Sequence, residues 1–196
     1  MIIIVNGKRI TNKKSNHMKE NKKQLTDGVY IITENNQIIP FKFPIFFTEN
    51  AAYIGLVQGN HSIAIALHDV SGDEITLTTK ESKELRHYID YMDAVQDWDG
   101  EGNTERLKKI GLNTDIHLKE GEYIPTLAEL YLICLNQKAI NEAIDFVGGQ
   151  KLKGWYWSST EYSETYAWGL SLNDGTAYLI NKATTTYRVR LVKQFI

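Results

Sequence analysis

With 196 residues, 42% of them hydrophobic and 23% charged, the chain can build an ordinary core, which excludes wholesale disorder. A formal net charge of −2 argues against a dedicated nucleic-acid binder, which would carry a basic face. The single cysteine, Cys134, rules out an intrachain disulfide, and no apolar run reaches the length of a bilayer span, so membrane insertion is not expected.

The charge is unevenly spread. Residues 1–23 hold seven Lys/Arg against Glu20 alone, which leaves the remaining 173 residues near −8. Residues 1–26 therefore read as a basic N-terminal arm and linker, a solvated tail or a contact for an acidic partner. Residues 2–5 with Ile10 suggest a short strand broken at Asn6 and Gly7. The opening MIIIV run is too short for a signal segment and has no basic stretch before it, so the chain is expected to be cytoplasmic at synthesis.

Residues 27–78 form a β-rich N-terminal segment. Residues 29–32 (VYII) are a strand, 34–36 a turn and 37–39 a second strand, while Pro40 and Pro44 confine 40–45 to a sheet edge or loop. Residues 52–57 and 62–67 flank Gln58 to His61 as a hairpin, and His68 with Asp69 reads as a strand-end hydrogen bond. The spacing of Leu85, Tyr88, Ile89 and Met92 predicts a helix from Thr79 to Met92. Asp97 to Gly102 is a loop, after which Asn103 or Thr104 caps a short helix bearing Leu107 and Ile110 and ended by Gly111.

At Thr126 the pattern sharpens. Thr126 and Glu129 match a capping box, in which the Thr oxygen and the Glu carboxylate each accept from an otherwise free backbone N–H. Leu127, Leu130, Tyr131, Cys134 and Leu135 make one apolar stripe. Ile140, Ala143, Ile144 and Val147 make another after a break near Asn136, and Gly148 with Gly149 supplies the stop. From Trp155 the period becomes two. Trp155 and Trp157 share a face, as do Tyr166, Trp168, Leu170 and Leu172. Asp174 and Gly175 suit a tight hairpin turn, and residues 187–192 make a last strand. The class is α+β.

Little of this suggests catalysis. Asp97, Asp99, Glu101 and Gly102 imitate the start of a calcium loop, but its twelfth position is Lys108 where a bidentate Glu is needed. None of the five histidines (17, 61, 68, 87 and 117) stands at metal-ligand spacing or beside a recognisable nucleophile, and Cys134 on a helical stripe reads as an inert thiol. No catalytic residue, metal or cofactor is expected, and the chain reads as a non-enzyme.

Several ordered motifs do carry a resemblance. Residues 125–130 (PTLAEL) resemble the LPT-x-x-EL element of the DUF1566 (Lcl-type) family. Residues 156–162 (YWSSTEY) resemble its strand, and Ala167-Trp168 the aromatic step after it. Residues 173–175 (NDG) and 188–192 (RVRLV) resemble its hairpin and its VRPVR closing strand, with Leu191 in place of proline. Residues 27–69 and 97–104 are similar to the N-terminal half of longer members from gut bacteria and their prophages. The resemblance implies a C-type lectin-like domain over 79–196, in the formylglycine-generating-enzyme-like branch, related to the variable proteins of diversity-generating retroelements. It implies a phage or prophage receptor-recognition role with a virion-associated location. The copper-binding cysteine pair of the enzymes in that branch has no counterpart, and the lectin calcium triplets are missing.

Three of the four Trp and five of the eleven Tyr lie between 155 and 187, interspersed with Ser, Thr and Asn. Such a mixture suits a binding face, because Tyr offers rigid contact area while the small polar side chains adapt their hydrogen bonds. By alternation, Trp155, Trp157, Trp168, Leu170, Leu172, Val189 and Leu191 belong to the core. Tyr162, Glu164, Tyr166, Asn173, Tyr178, Asn181 and Tyr187 are the candidate ligand-binding residues. If buried, Arg188 and Arg190 need carboxylates, with Glu129 or Glu161 as candidates. The expected function is non-enzymatic binding of a protein or glycan surface. The alternative is a structural or assembly protein that uses the fold as a scaffold.

Overall fold

The computed structural model describes residues 25–43, 45, 49–80 and 88–196. It also describes the backbone of two short strands, β1 (Ile4–Val5) and β2 (Lys8–Arg9), which pair antiparallel. The rest of the basic arm, His17, Pro44, Leu85 and His87 lie outside the described residues.

The segment after the arm builds a meander of β3 (Gly28–Thr33), β4 (Ile38–Pro40), β5 (Ala51–Gln58) and β6 (His61–Ala66). The expected hairpin is present as β5–β6, with Gln58 opposite His61. Pro40 cannot donate to a ladder, and β4 accordingly lies at a sheet edge. The opposite edge is filled from the far end of the sequence. There β10 (Val192–Gln194) pairs antiparallel with β6, placing Val192 opposite Ile65 in a sheet of order β10-β6-β5-β3-β4. Residues 27–78 and the C-terminal part therefore share one sheet.

Helices α3 (Leu127–Leu135) and α4 (Gln137–Phe146) supply the larger core, where Leu127, Leu130, Ile140 and Ile144 bury against Ile31, Ile54 and Ile65. The capping box is present in both directions. Thr126 Oγ1 accepts from Glu129 N at 3.1 Å and Glu129 Oε2 accepts from Thr126 N at 2.8 Å. The break falls at Asn136, and Gly148 takes the positive φ (+77°) that the stop requires. The first stripe needs correction: Leu135 is 78% exposed, and Leu132 and Ile133 are buried instead, because α3 is enclosed on more than one side.

The helix expected over 79–92 is not continuous. Thr79 N donates to Gly111 O and Tyr88 N to Glu161 O, so both are engaged by distant backbone. Asp90 then caps a single turn, α1 (Tyr91–Ala94), by accepting from Met92 N at 2.7 Å. In α2 (Gly100–Ile110) the cap is Asp99, earlier than expected, because Gly100 and Gly102 stand in the first turn and disguise it as loop. Asn103 and Thr104 are buried inside the helix, bonded to the Asp97 carboxylate and to Ile124 N.

A second sheet, β7 (Trp155–Glu161), β8 (Tyr166–Ser171) and β9 (Ala177–Asn181), runs antiparallel in that order. Both of its faces are covered. Tyr156, Trp168 and Leu170 join the α3 core, while Trp157, Ala167 and Ile180 join a second core with Ile75, Leu77, Leu107, Val189 and Leu191. The β8–β9 connection is wider than a tight hairpin, since Ser171 N bonds Thr176 O across residues 172–176 and Leu172 is buried within it. The last expected strand is also divided. Tyr187 bridges Ile75, Arg188 bridges Tyr156 in parallel, and only at Val192 does β10 begin. The chain is an α+β protein with antiparallel sheets. Among the described residues no helix is long and apolar enough to cross a membrane.

Candidate functional site

Five of the seven candidate residues fall into two patches on opposite faces of the β7–β9 sheet, with Asn173, Tyr178 and Tyr187 in one and Tyr162 and Tyr166 in the other. In the β8–β9 register, Gly169 lies opposite Tyr178 and Trp168 opposite Leu179, so Tyr178 and Leu179 point to different sides. On Tyr178's side, Trp155 packs against both Tyr178 (5.8 Å between ring centroids) and Tyr187 (5.3 Å, nearly parallel). Gly169 makes room for this. A Cβ there would stand 3.0 Å from Ile180 Cδ1 and 3.2 Å from the Tyr187 ring. Asn173 belongs to the same end, its Oδ1 accepting from Gly154 N at 3.0 Å. Tyr178 is 60% exposed, while Trp155 and Tyr187 are half-buried, and burial raises the Tyr187 hydroxyl above its ordinary pKa.

The second patch forms around Trp168. Tyr162 meets its ring edge-on at 6.1 Å and Tyr91 approaches it at 5.7 Å, while the Tyr91 and Tyr131 hydroxyls share a hydrogen bond of 2.7 Å. Tyr166, two residues before Trp168 on the same strand face, is 42% exposed because it begins β8 beyond the cover of α3. Cys134 is half-buried, and burial raises its thiol pKa. Glu164 is exposed in the β7–β8 loop. Asn181 is committed to structure: its Oδ1 accepts from Ala183 N and Thr184 N and shapes the turn after β9.

Trp155, Tyr91 and Tyr131 are surface members that the alternation and stripe arguments did not single out. Trp155 passes for core because it shares parity with Trp157. Tyr131 sits on an apolar helical stripe, and only its hydroxyl, which seeks a polar partner, signals the surface.

The buried charges are structural. Arg190 finds neither Glu129 nor Glu161 but Asp69, with Nε 2.7 Å from Oδ1 and both side chains 1% exposed. Its remaining nitrogens donate to Ala66 O and Gln150 O. Arg188 also approaches Asp69, at 3.6 Å, and lies 3.8 Å from Glu74. The pairing follows from topology, because the strand leading into β10 runs beside the end of β6, where Asp69 lies. Glu161 instead holds the buried Lys182 ammonium, which also donates to Ser163 O. Glu129 accepts from Tyr123 Oη and Thr126 N without a basic partner, and burial pushes its carboxyl up to about 7. Asp97, the first residue of the calcium-like run, is buried and accepts from Tyr88 Oη, Asp99 N, Asn103 Nδ2 and Thr160 Oγ1.

A cleft of about 540 Å³ lies away from both patches, lined in part by Tyr53, His68, His117, Lys119 and Glu122. Its polar groups are largely used internally: Tyr53 Oη donates to Glu122 Oε1 at 2.7 Å, Lys119 N donates to Glu122 Oε2, and Lys193 lies 4.1 Å above the Tyr53 ring. Asp69 is spent on arginines while His68 is exposed, so they form no dyad. Among the described residues no group of three His, Cys, Asp or Glu could hold a metal ion.

No protein-family model and no curated protein matches the chain. Among solved structures its fold is similar to the crystal structure of a fimbrial protein from Bacteroides ovatus, with a TM-score of 0.63 at 16% identity. The match covers 87% of this chain and 49% of the other, so the chain spans about half the neighbour's length, and at that identity the likeness is one of fold.

Proposed function

We propose that the chain is a non-enzymatic ligand-binding protein with a C-type lectin-like fold, related to the DUF1566 family, that presents its aromatic patches to a protein or glycan surface. The observation that carries this reading is the Trp155–Tyr178–Tyr187 group. Three rings lie together at the surface, with one well exposed and Asn173 beside them. Rigid rings bordered by adaptable hydrogen-bonding side chains are suited to capturing sugar faces or protein loops. In this reading the protein serves phage or prophage receptor recognition, is cytoplasmic at synthesis and becomes virion-associated.

A second reading, a structural or assembly protein built on the same scaffold, is favoured by the fold likeness to a fimbrial protein. The two separate in one experiment. Purified chain is screened against immobilised glycans and intact bacterial cells beside Tyr162→Ala, Tyr178→Ala and Tyr187→Ala. A central anchor in a binding face contributes about 2 kcal/mol, so losing Tyr178 or Tyr187 should weaken binding roughly 30-fold, at unchanged melting temperature for the exposed Tyr178. Equal binding by all four proteins, or no binding by the wild type, removes the recognition role.

A further inference from the structure

The two larger sheets, of five and three strands, have four edges between them, and three are closed. The β4 edge is short and ends in Pro40. The β10 edge is covered by Tyr123, which exchanges two backbone hydrogen bonds with Val192. The β7 edge is covered on its outer side by Arg188, which bonds Trp155 O and Trp157 N, and by Pro125, which accepts from Ser159 N. The fourth edge, β9, has no such cover among the described residues. The bonds Lys182 N to Thr165 O and Ser171 N to Thr176 O fix the register. They turn the backbone groups of Ile180 and Tyr178 toward β8 and those of Ala177, Leu179 and Asn181 away from it. Among the described residues, the only backbone group bonded to that outer side is Thr185 N, which reaches Asn181 O at 3.2 Å. The strand reads AYLIN, with no charge and no proline, and Tyr178 and Leu179 are 60% and 38% exposed. Edges of this kind are ordinarily blunted by lysine, proline, a bulge or a covering loop.

We infer that β9 is a dimerisation edge whose occupant is β9 of a second copy of this chain. The strand is self-complementary about Leu179. In an antiparallel pairing across a twofold axis, Leu179 of each copy exchanges N–H and C=O with its counterpart, and Ala177 meets Asn181. No like charges face one another, since the strand has none. Pairing joins two three-stranded sheets into one of six strands and brings the two Tyr178 patches onto one continuous surface. A surface that repeats a weakly bound determinant then gains avidity by engaging both sites at once. The dimer does not depend on the ligand-binding reading, and its test uses no ligand.

The test is the molar mass of the full chain by light scattering and sedimentation from micromolar to several hundred micromolar concentration, beside Leu179→Pro and Leu179→Lys. Neither substitution touches a bond to β8, because the Leu179 N–H points outward. The expected result is a wild-type mass twice 22.4 kDa at the upper concentrations and monomer for both variants, with unchanged circular dichroism. If the proline variant fails to fold, the lysine variant decides. In a Cys134→Ser background, Leu179→Cys should form an oxidised dimer under mild oxidant, and Asn173→Cys should not. A wild type that stays monomeric throughout, as it would if the edge served a strand from a different protein, overturns the inference. So does a dimer that survives both substitutions, or one that cross-links equally through either cysteine.

Discussion

Replacing Asp69 by alanine should test the structural reading of the buried charges most severely. The Asp69 carboxylate and the Arg190 guanidinium are each 1% exposed and 2.7 Å apart. Truncating the acid leaves a cation in the interior with the carbonyls of Ala66 and Gln150 and the Tyr156 hydroxyl but no anionic partner at Asp69. Breaking one side of such a pair costs about 3–5 kcal/mol, because the orphaned charge keeps its desolvation penalty and loses its attraction. For a domain of this size each kcal/mol moves the melting point by about 2–4 °C, so Asp69→Ala should melt roughly 6–20 °C below the wild type. The double variant Asp69→Ala/Arg190→Met removes both charges. It should be less destabilised than the sum of its singles, with a coupling of about 0.5–3 kcal/mol. Urea denaturation of the four proteins at one pH measures the cycle. A single variant within about 1 kcal/mol of wild type, or strict additivity in the double, would show that the ion pair does not hold the end of β6 to the approach of β10.

Glu129 gives a pH test. Its folded carboxyl holds a proton up to about 7, whereas in the unfolded chain it ionises near the ordinary 4.5. Between those values the folded state binds more protons, so this group's stabilisation is complete below pH 4.5 and is lost as pH rises to 7, about 3 kcal/mol at most. Glu129→Gln keeps an acceptor for the capping box and should flatten that decline in denaturation series from pH 5 to 8; an unchanged slope refutes the assignment. Thr126→Ala removes the oxygen that accepts from Glu129 N and should cost about 0.5–2 kcal/mol, while Thr126→Ser should restore most of it. Gly169→Val places atoms against Ile180, the Tyr156 carbonyl and the Tyr187 ring, and should cost about 1–3 kcal/mol with altered Trp155 fluorescence. A neutral result would mean that Tyr187 is free to move aside.

The legible parts of this sequence were those governed by neighbours along the chain. The β5–β6 hairpin, the Thr126–Glu129 box and the break at Asn136 depend on residues a few positions apart, and each is present. What escaped was fixed by distant chain. Spacing alone places Tyr88 on a helical stripe, yet its N–H goes to the Glu161 carbonyl. Glu129 and Glu161 are the acids nearest Arg190 by motif, but the chain path delivers Asp69. The two-residue period from Trp155 suggested one wet face and one dry face, which holds only for a sheet covered on one side. With a core on each face, Trp157 and Trp168 are buried in opposite directions, and solvent reaches the candidate residues only at strand beginnings, loops and the β9 edge. The aromatic residues were thus readable as a concentration, but their division into two patches was not.

The position of β10 bears on how the molecule can be made. Its partner β6 is synthesised early, yet the β6 backbone meets Val192, Lys193 and Gln194 only after those residues have cleared the ribosomal tunnel. Until then Ile63 and Ile65 belong to an open strand, in the state that favours pairing with whatever extended segment is nearby. Slow translation of residues 192–194, or their deletion, should therefore prolong an adhesive nascent state and lower soluble yield.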